Sequence, residues 1–203
     1  MLELLYYLIT DVKQLTDFFP AKEICCADFD SFTAFDIETT GLPRNSNIIE
    51  LGAVKVKNGI ITDRFNELID PKIPIPSKIT YITGITDNMV RGCDTIDKVL
   101  PRFAQFAGDD ILLGHNVVNF DCPIVRHWAN IHGIFIKNDV FDTLRHLRSR
   151  CEPFPCMESK SLEYLCEYFC IEATVHHRAD ADAEITAKLY FELKQKAKLK
   201  NQQ

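Results

Sequence analysis

Apolar residues recur at helical spacing over the first twenty positions: Leu4, Leu8, Val12, Leu15 and Phe19, ending before Pro20. That interval predicts an amphipathic helix, and residues 1–30 are read as a helical extension preceding a domain over 31–203. The pattern then changes period. "SFTAFDIE" (31–38) alternates and is rich in aromatics, which predicts a strand. "IIELGAVKV" and "IITDRFNELI" flank Asn58-Gly59, a strong hairpin signal, so three consecutive antiparallel strands are expected up to the Asp70-Pro71 turn. "PKIPIPSKI" (71–79) carries three prolines and is expected to be an extended loop. Beyond it the pattern predicts a helix near 95–107, a short strand "ILLG" (111–114) and a helix near 121–132. Further helices are expected over about 140–149, 161–170 and 181–199. Strands first, then helices alternating with a strand, predict an α/β domain: a mixed sheet flanked by helices.

Composition narrows the class without naming a function. With 203 residues, 46% hydrophobic and 26% charged, the chain can bury one substantial core. No apolar run approaches the ~18 residues of a membrane span, and "MLELLYYLIT" lacks the basic start and cleavage site of a signal peptide. Eight cysteines are irregularly spaced. Cys151, Cys156, Cys166 and Cys170 cluster, but without the tight CxxC pairs of most structural zinc sites, so reduced thiols and a cytoplasmic location are expected. The net charge of −6 speaks against a non-specific nucleic-acid binder, unless some of the acids hold cations.

Three segments carry candidate chemistry. In "FDIETTGL", Asp36 and Glu38 lie two apart in a strand and project from the same face. Side-by-side carboxylates repel, and a hard divalent cation would resolve the conflict; the alternative is an edge strand with an acidic solvent face. In "GHNVVNFDCP", Asp121 follows a short strand and opens a helix, so it is either a helix cap or a site acid. The third segment, "HHRADADAE" (176–184), could hold metal, supply a general base, or merely begin a surface helix. At 100° per residue, Asp182 shares a helix face with Ile185, Thr186, Leu189 and Leu193. Asp180 lies nearly opposite with Glu184 and Lys188, although Phe191 interrupts that polar side. An acid on the apolar face asks for a ligand; Asp180 needs only a first-turn role, and Glu184 with Lys188 reads as an i,i+4 pair.

Taken together and in order, the three segments resemble the three motifs of the DEDDh 3′→5′ exonucleases. That family includes the proofreading epsilon subunit of bacterial DNA polymerase III and the exonuclease domain of the Gram-positive replicative polymerase. "IIELGAVKVKNG", "YITGIT" and "FDTLRHLR" are similar to it as well, so the likeness spans roughly residues 31–193. The resemblance implies an RNase H-like fold, with Asp36, Glu38, Asp121 and Asp182 holding two divalent cations, Mg²⁺ or Mn²⁺. His177, five residues before Asp182, would be the catalytic base, and Thr39, Thr40, Gly41 and Leu42 would hold the terminal nucleotide. The second motif has one residue more between Asn116 and Phe120 than in many relatives, so His115 and Asn116 are given no role, and neither is His176. The implied substrate is the 3′ end of single-stranded or frayed DNA, with a DNA polymerase as a partner to consider. Two alternatives stand beside it: an exoribonuclease acting on RNA ends, and a non-catalytic RNase H-like module that binds a polymerase.

Overall fold

The computed structural model describes residues 28–148, 157–172 and 177–200. The helix expected in the first twenty residues lies outside them, as do Cys151, Cys156 and His176. Five strands form one sheet: β1 (Phe32–Thr39), β2 (Ile48–Lys57), β3 (Ile60–Leu68), β4 (Leu112–Gly114) and β5 (Val140–Asp142), in the order β3-β2-β1-β4-β5. The β1–β2 and β2–β3 pairs are antiparallel, and β1–β4 and β4–β5 are parallel. This is the mixed RNase H-like sheet expected from the sequence. The β2–β3 turn places Asn58 and Gly59 at φ 50° and 80°, the left-handed pair that a two-residue hairpin requires. Asp36 and Glu38 therefore lie on the central strand, which removes the edge-strand reading.

Helices cover both faces. They are α1 (Ser77–Thr83), α2 (Asp87–Val90), α3 (Ile96–Ala107), α4 (Asp121–His132), α5 (Thr143–Arg148), α6 (Leu162–Phe169) and α7 (Ala179–Lys200). Phe35 and Ile37 of β1 face α3 and α4, packing with Phe103, Val99 and Val125. Phe32 and Ala34 point the other way, into a cluster with Ala187 and Tyr190 of α7. Helix α7 buries a second side against α6, where Leu189 and Leu193 meet Leu165 and Phe169. Being wedged between sheet and helix explains Phe191, which packs on Phe32 instead of facing water. The chain just before β1 is tied to the same helix: Phe29 stacks on Tyr190, with ring centroids 4.6 Å apart.

Three elements differ from expectation, and one of them, α2, falls in a stretch for which no element was expected. The proline-rich loop ends earlier than its last residue, because α1 begins at Ser77 directly after Pro76, which occupies the N-cap. Proline disfavours helix at the residue before it but tolerates one ahead of it. Residues 140–142 are strand β5 and not the start of a helix, and α5 begins only at Thr143. The three residues Val140, Phe141 and Asp142 are too few to show a period of their own, and β4 decides the outcome by offering them a parallel partner. Among the described residues no helix is long and apolar enough to cross a membrane.

Candidate active site

The site begins with a mismatch in strand length. β1 pairs with β4 only at Thr33–Leu112 and Ala34–Leu113, so its C-terminal half runs on without that neighbour. The gap at the carboxyl end of parallel strands is where ligands sit in such sheets. Here the loop after β4 fills it, and the first residue of α4, Asp121, accepts the Ile37 N–H at 3.3 Å. Asp121 is thus not the cap of its own helix; the N-cap position belongs to Phe120.

That loop is held from β5. The Asp142 carboxylate accepts the N–H groups of Asn116 and Val118, both at 3.0 Å, and those of Leu144 and Arg145 at the start of α5. Asn116 takes φ 64°, so the additional residue is absorbed in a left-handed turn ahead of α4. Gly114 permits the fold-back, since a Cβ there would lie 2.6 Å from that of Val117. His115 faces away from the acids: Nδ1 pairs with Thr143 Oγ1 at 2.8 Å and Nε2 with the Lys160 carbonyl at 2.9 Å. Its burial lowers the imidazole pKa below the ordinary value.

The remaining groups come from the start of α7. Gly52, paired with Asp36 across β1–β2, is the point of closest approach. A Cβ on it would stand 2.1 Å from the Asp180 nitrogen and 2.2 Å from the Ala179 carbonyl carbon. The bare backbone at Gly52 lets the helix begin directly over the sheet. Asp182 is buried there, and its Oδ2 accepts the His177 N–H at 2.9 Å. Ligand atoms of Glu38, His177 and Asp182 lie within 4.8 Å of one another, the one such grouping among the described residues. Asp180 sits in the first turn of α7, and Glu184 pairs with Lys188 at 2.8 Å, as the helix faces predicted.

Electrostatics tie Asp36 and Asp121 to this group. Burial pushes Asp36 well above the carboxylate range, followed by the charges of Asp121, Glu38 and Asp182. Burial likewise pushes Glu38 up to about 8, aided by Asp182 and Glu50, and Asp121 up to about 7. Four crowded acids with hard oxygen donors fit a divalent cation, which would relieve the repulsion that raises them. His177 is half exposed at the rim, with Nε2 3.9 Å from Glu163.

The expected nucleotide-binding residues form the loop that leaves β1. The Thr39 hydroxyl donates to the Gly41 carbonyl at 2.6 Å, and the Thr40 hydroxyl accepts from the Asn47 N–H at 3.1 Å. Both side chains therefore build the loop itself, while Leu42 at its tip is 83% exposed. The Trp128 indole N–H donates to the Ser46 carbonyl and ties this loop to α4.

Two residues escaped the sequence reading. Glu50 of β2 is fully buried, lies across from Glu38 in the register, and is clamped by Arg178 through Nε at 3.0 and 3.1 Å and Nη2 at 2.6 Å. The available signal was an acid in the otherwise apolar stretch "IIELGAV", which needs a partner when buried.

Comparison with known proteins follows the same segments. A model of the exonuclease family matches residues 33–190. A DNA polymerase III PolC-type protein of Caldanaerobacter subterraneus subsp. tengcongensis is 41% identical over 169 residues, covering 81% of this chain and 12% of that protein. The DNA polymerase III subunit epsilon of Aquifex aeolicus is 37% identical over 164 residues, 80% of each chain. Among solved structures, exonuclease X in complex with 5′ overhanging duplex DNA aligns with a TM-score of 0.65 at 25% identity, covering 81% of this chain and 92% of that one. The zinc-bound complex of E. coli exonuclease I with single-stranded DNA aligns with a TM-score of 0.73 at 21% identity, covering 83% and 41%, and shares the fold.

Proposed function

Because this chain belongs to the exonuclease family, we propose that it hydrolyses single-stranded or frayed DNA from the 3′ end, releasing nucleoside monophosphates. The observation that carries the reading is the convergence of Asp36, Glu38, Asp121 and Asp182, with His177 at the rim, at the open carboxyl end of β1. The four carboxylates would hold two divalent cations, Mg²⁺ or Mn²⁺. Such cations, when bound, supply Lewis acidity to both the attacking and the leaving oxygens of an in-line phosphoryl displacement. His177 takes the proton of the attacking water, a task suited to a side chain whose ordinary pKa is about 6.5. The loop from Thr39 to Leu42 receives the terminal nucleotide: Thr39 and Thr40 shape it, Gly41 allows close approach of its backbone, and exposed Leu42 presses on the last base.

The names of the relatives support a proofreading role beside a DNA polymerase. This chain spans only about 12% of the PolC-type polymerase it matches, yet 80% of the epsilon subunit.

The test uses 5′-labelled DNA and RNA oligomers with Mg²⁺, with Mn²⁺ and with EDTA. Metal-dependent laddering of DNA from the 3′ end, lost in Asp36→Ala and His177→Ala, is the expected result. Cleavage of RNA alone would transfer the reading to an exoribonuclease, and no cleavage of either polymer would sink the enzyme. Retention of the chain by a primed polymerase complex on a sizing column tests the partner.

A further inference from the structure

We propose that Glu50 and Arg178 are positioning residues whose buried ion pair sets His177 and Asp182 in their working geometry. The proposal rests on the nuclease reading above. Glu50 is fully buried, and its carboxylate is bound by the segment that opens α7, through the Arg178 guanidinium and the Ala179 N–H at 3.0 Å. One carboxylate therefore grips two consecutive residues directly after His177.

What it grips is strained. His177 adopts φ 61°, a left-handed conformation that is costly for a non-glycine residue. Such a conformation persists only where its surroundings hold it on both sides. On one side the His177 N–H is bound by Asp182 Oδ2 at 2.9 Å. On the other stands the Glu50 clamp. Held in this conformation, His177 keeps a ring nitrogen within 4.8 Å of carboxylate oxygens of Glu38 and Asp182.

Stability alone gives no reason for such a pair. Burying two charges costs desolvation that their attraction often only offsets, and apolar groups of similar volume commonly serve as well. The location costs more still, because Glu50 lies directly across from Glu38 and adds a negative charge beside acids that already repel. A pair kept in that place is explained by the conformation it specifies. Arg178 is suited to this, since its planar fork fixes an angle that a lysine ammonium would leave free. Neither residue reaches the reacting atoms, so both act through His177 and Asp182.

The decisive variant is the double substitution Glu50→Gln with Arg178→Met, which removes both charges while keeping volume and an acceptor for the Ala179 N–H. Three quantities are measured: turnover on a thymidine oligomer with Mg²⁺, Mn²⁺ affinity by electron paramagnetic resonance, and hydrogen exchange of individual amides. We expect kcat to fall at least tenfold with KM within twofold, and Mn²⁺ affinity to fall by about 10–100-fold, as when outer partners of ligands are lost. The His177 and Ala179 amides should exchange faster while the β1–β2 amides stay protected. Turnover and Mn²⁺ affinity both within threefold of the parent, with the sheet still protected, would overturn the proposal. If the double variant loses sheet protection, Arg178→Lys decides, since it keeps the charge but not the fork: a threefold or greater loss of kcat supports the proposal and parental kcat overturns it. A parent chain inactive on every substrate would instead remove the nuclease reading, and the Mn²⁺ and exchange measurements would still test the clamp.

Discussion

Glu38 shows how far a single residue is governed by its surroundings. Burial pushes it up to about 8, with Asp182 and Glu50 adding repulsion. Its folded pKa is above the unfolded value of 4.5, so the folded state binds more protons, and cation-free stability declines as pH rises from about 4.5 to about 8. Asp36 and Asp121 act in the same direction. Glu38→Gln should therefore raise the melting temperature in EDTA at pH 8 by at least about 2–4 °C, the shift made by 1 kcal/mol in a chain of this size. It should change it little at pH 4, where the parent is already protonated; calorimetry at the two pH values checks both. His177→Ala should lower the single-turnover rate by about 10²–10⁴, the usual contribution of a general base, and leave melting nearly unchanged because the side chain is half exposed. Asp36, Glu38 and Asp182 stood out in the sequence because acids are unusual at their periodic positions, whereas Asp121 and His177 were singled out only by the resemblance to the exonuclease motifs. Glu50 and Arg178 were not, since an acid in a strand and a basic residue 128 positions later carry no local sign of pairing.

At the level of elements, the site depends on how closely α7 approaches the sheet and on how far β1 outruns β4. Gly52→Ala would drive a methyl group into the backbone of Ala179 and Asp180, atoms that cannot rotate away. Destabilisation of about 1–3 kcal/mol or more is expected from such overpacking, together with loss of cation affinity, and urea unfolding with Mn²⁺ titration measures both. Asp142→Ala would leave four backbone N–H groups, two of them in the loop that delivers Asp121, without their acceptor. It should cost about 1–3 kcal/mol in urea unfolding and lower kcat through Asp121. Most elements were readable from period and turn chemistry; β5 was not, because so short a run as Val140–Asp142 becomes strand or helix only through its neighbour.

For the molecule as a whole, four repelling acids make the folded state the better binder of protons or of cations. A divalent cation at a hundredfold excess over its dissociation constant should stabilise the fold by about 2.7 kcal/mol. The gain should be largest near pH 8 and shrink towards pH 5, where protons already satisfy the carboxylates. Thermal unfolding with and without Mn²⁺ at both pH values would show it, and equal shifts at the two would contradict the assignment of the acids.

The three antiparallel strands, the hairpin at Asn58-Gly59 and the helix faces that separate Asp182 from Asp180 were determined by the sequence alone, because each follows from local sterics and hydrophobic period. Its motifs also sufficed to select the family. Tertiary structure alone decided that Asp121 reaches β1, that His115 turns away and that Glu50 grips the start of α7. The reason is physical: periodicity specifies which way a side chain leaves its own element, whereas a partner on another element is selected by packing and by the need to satisfy every buried polar group.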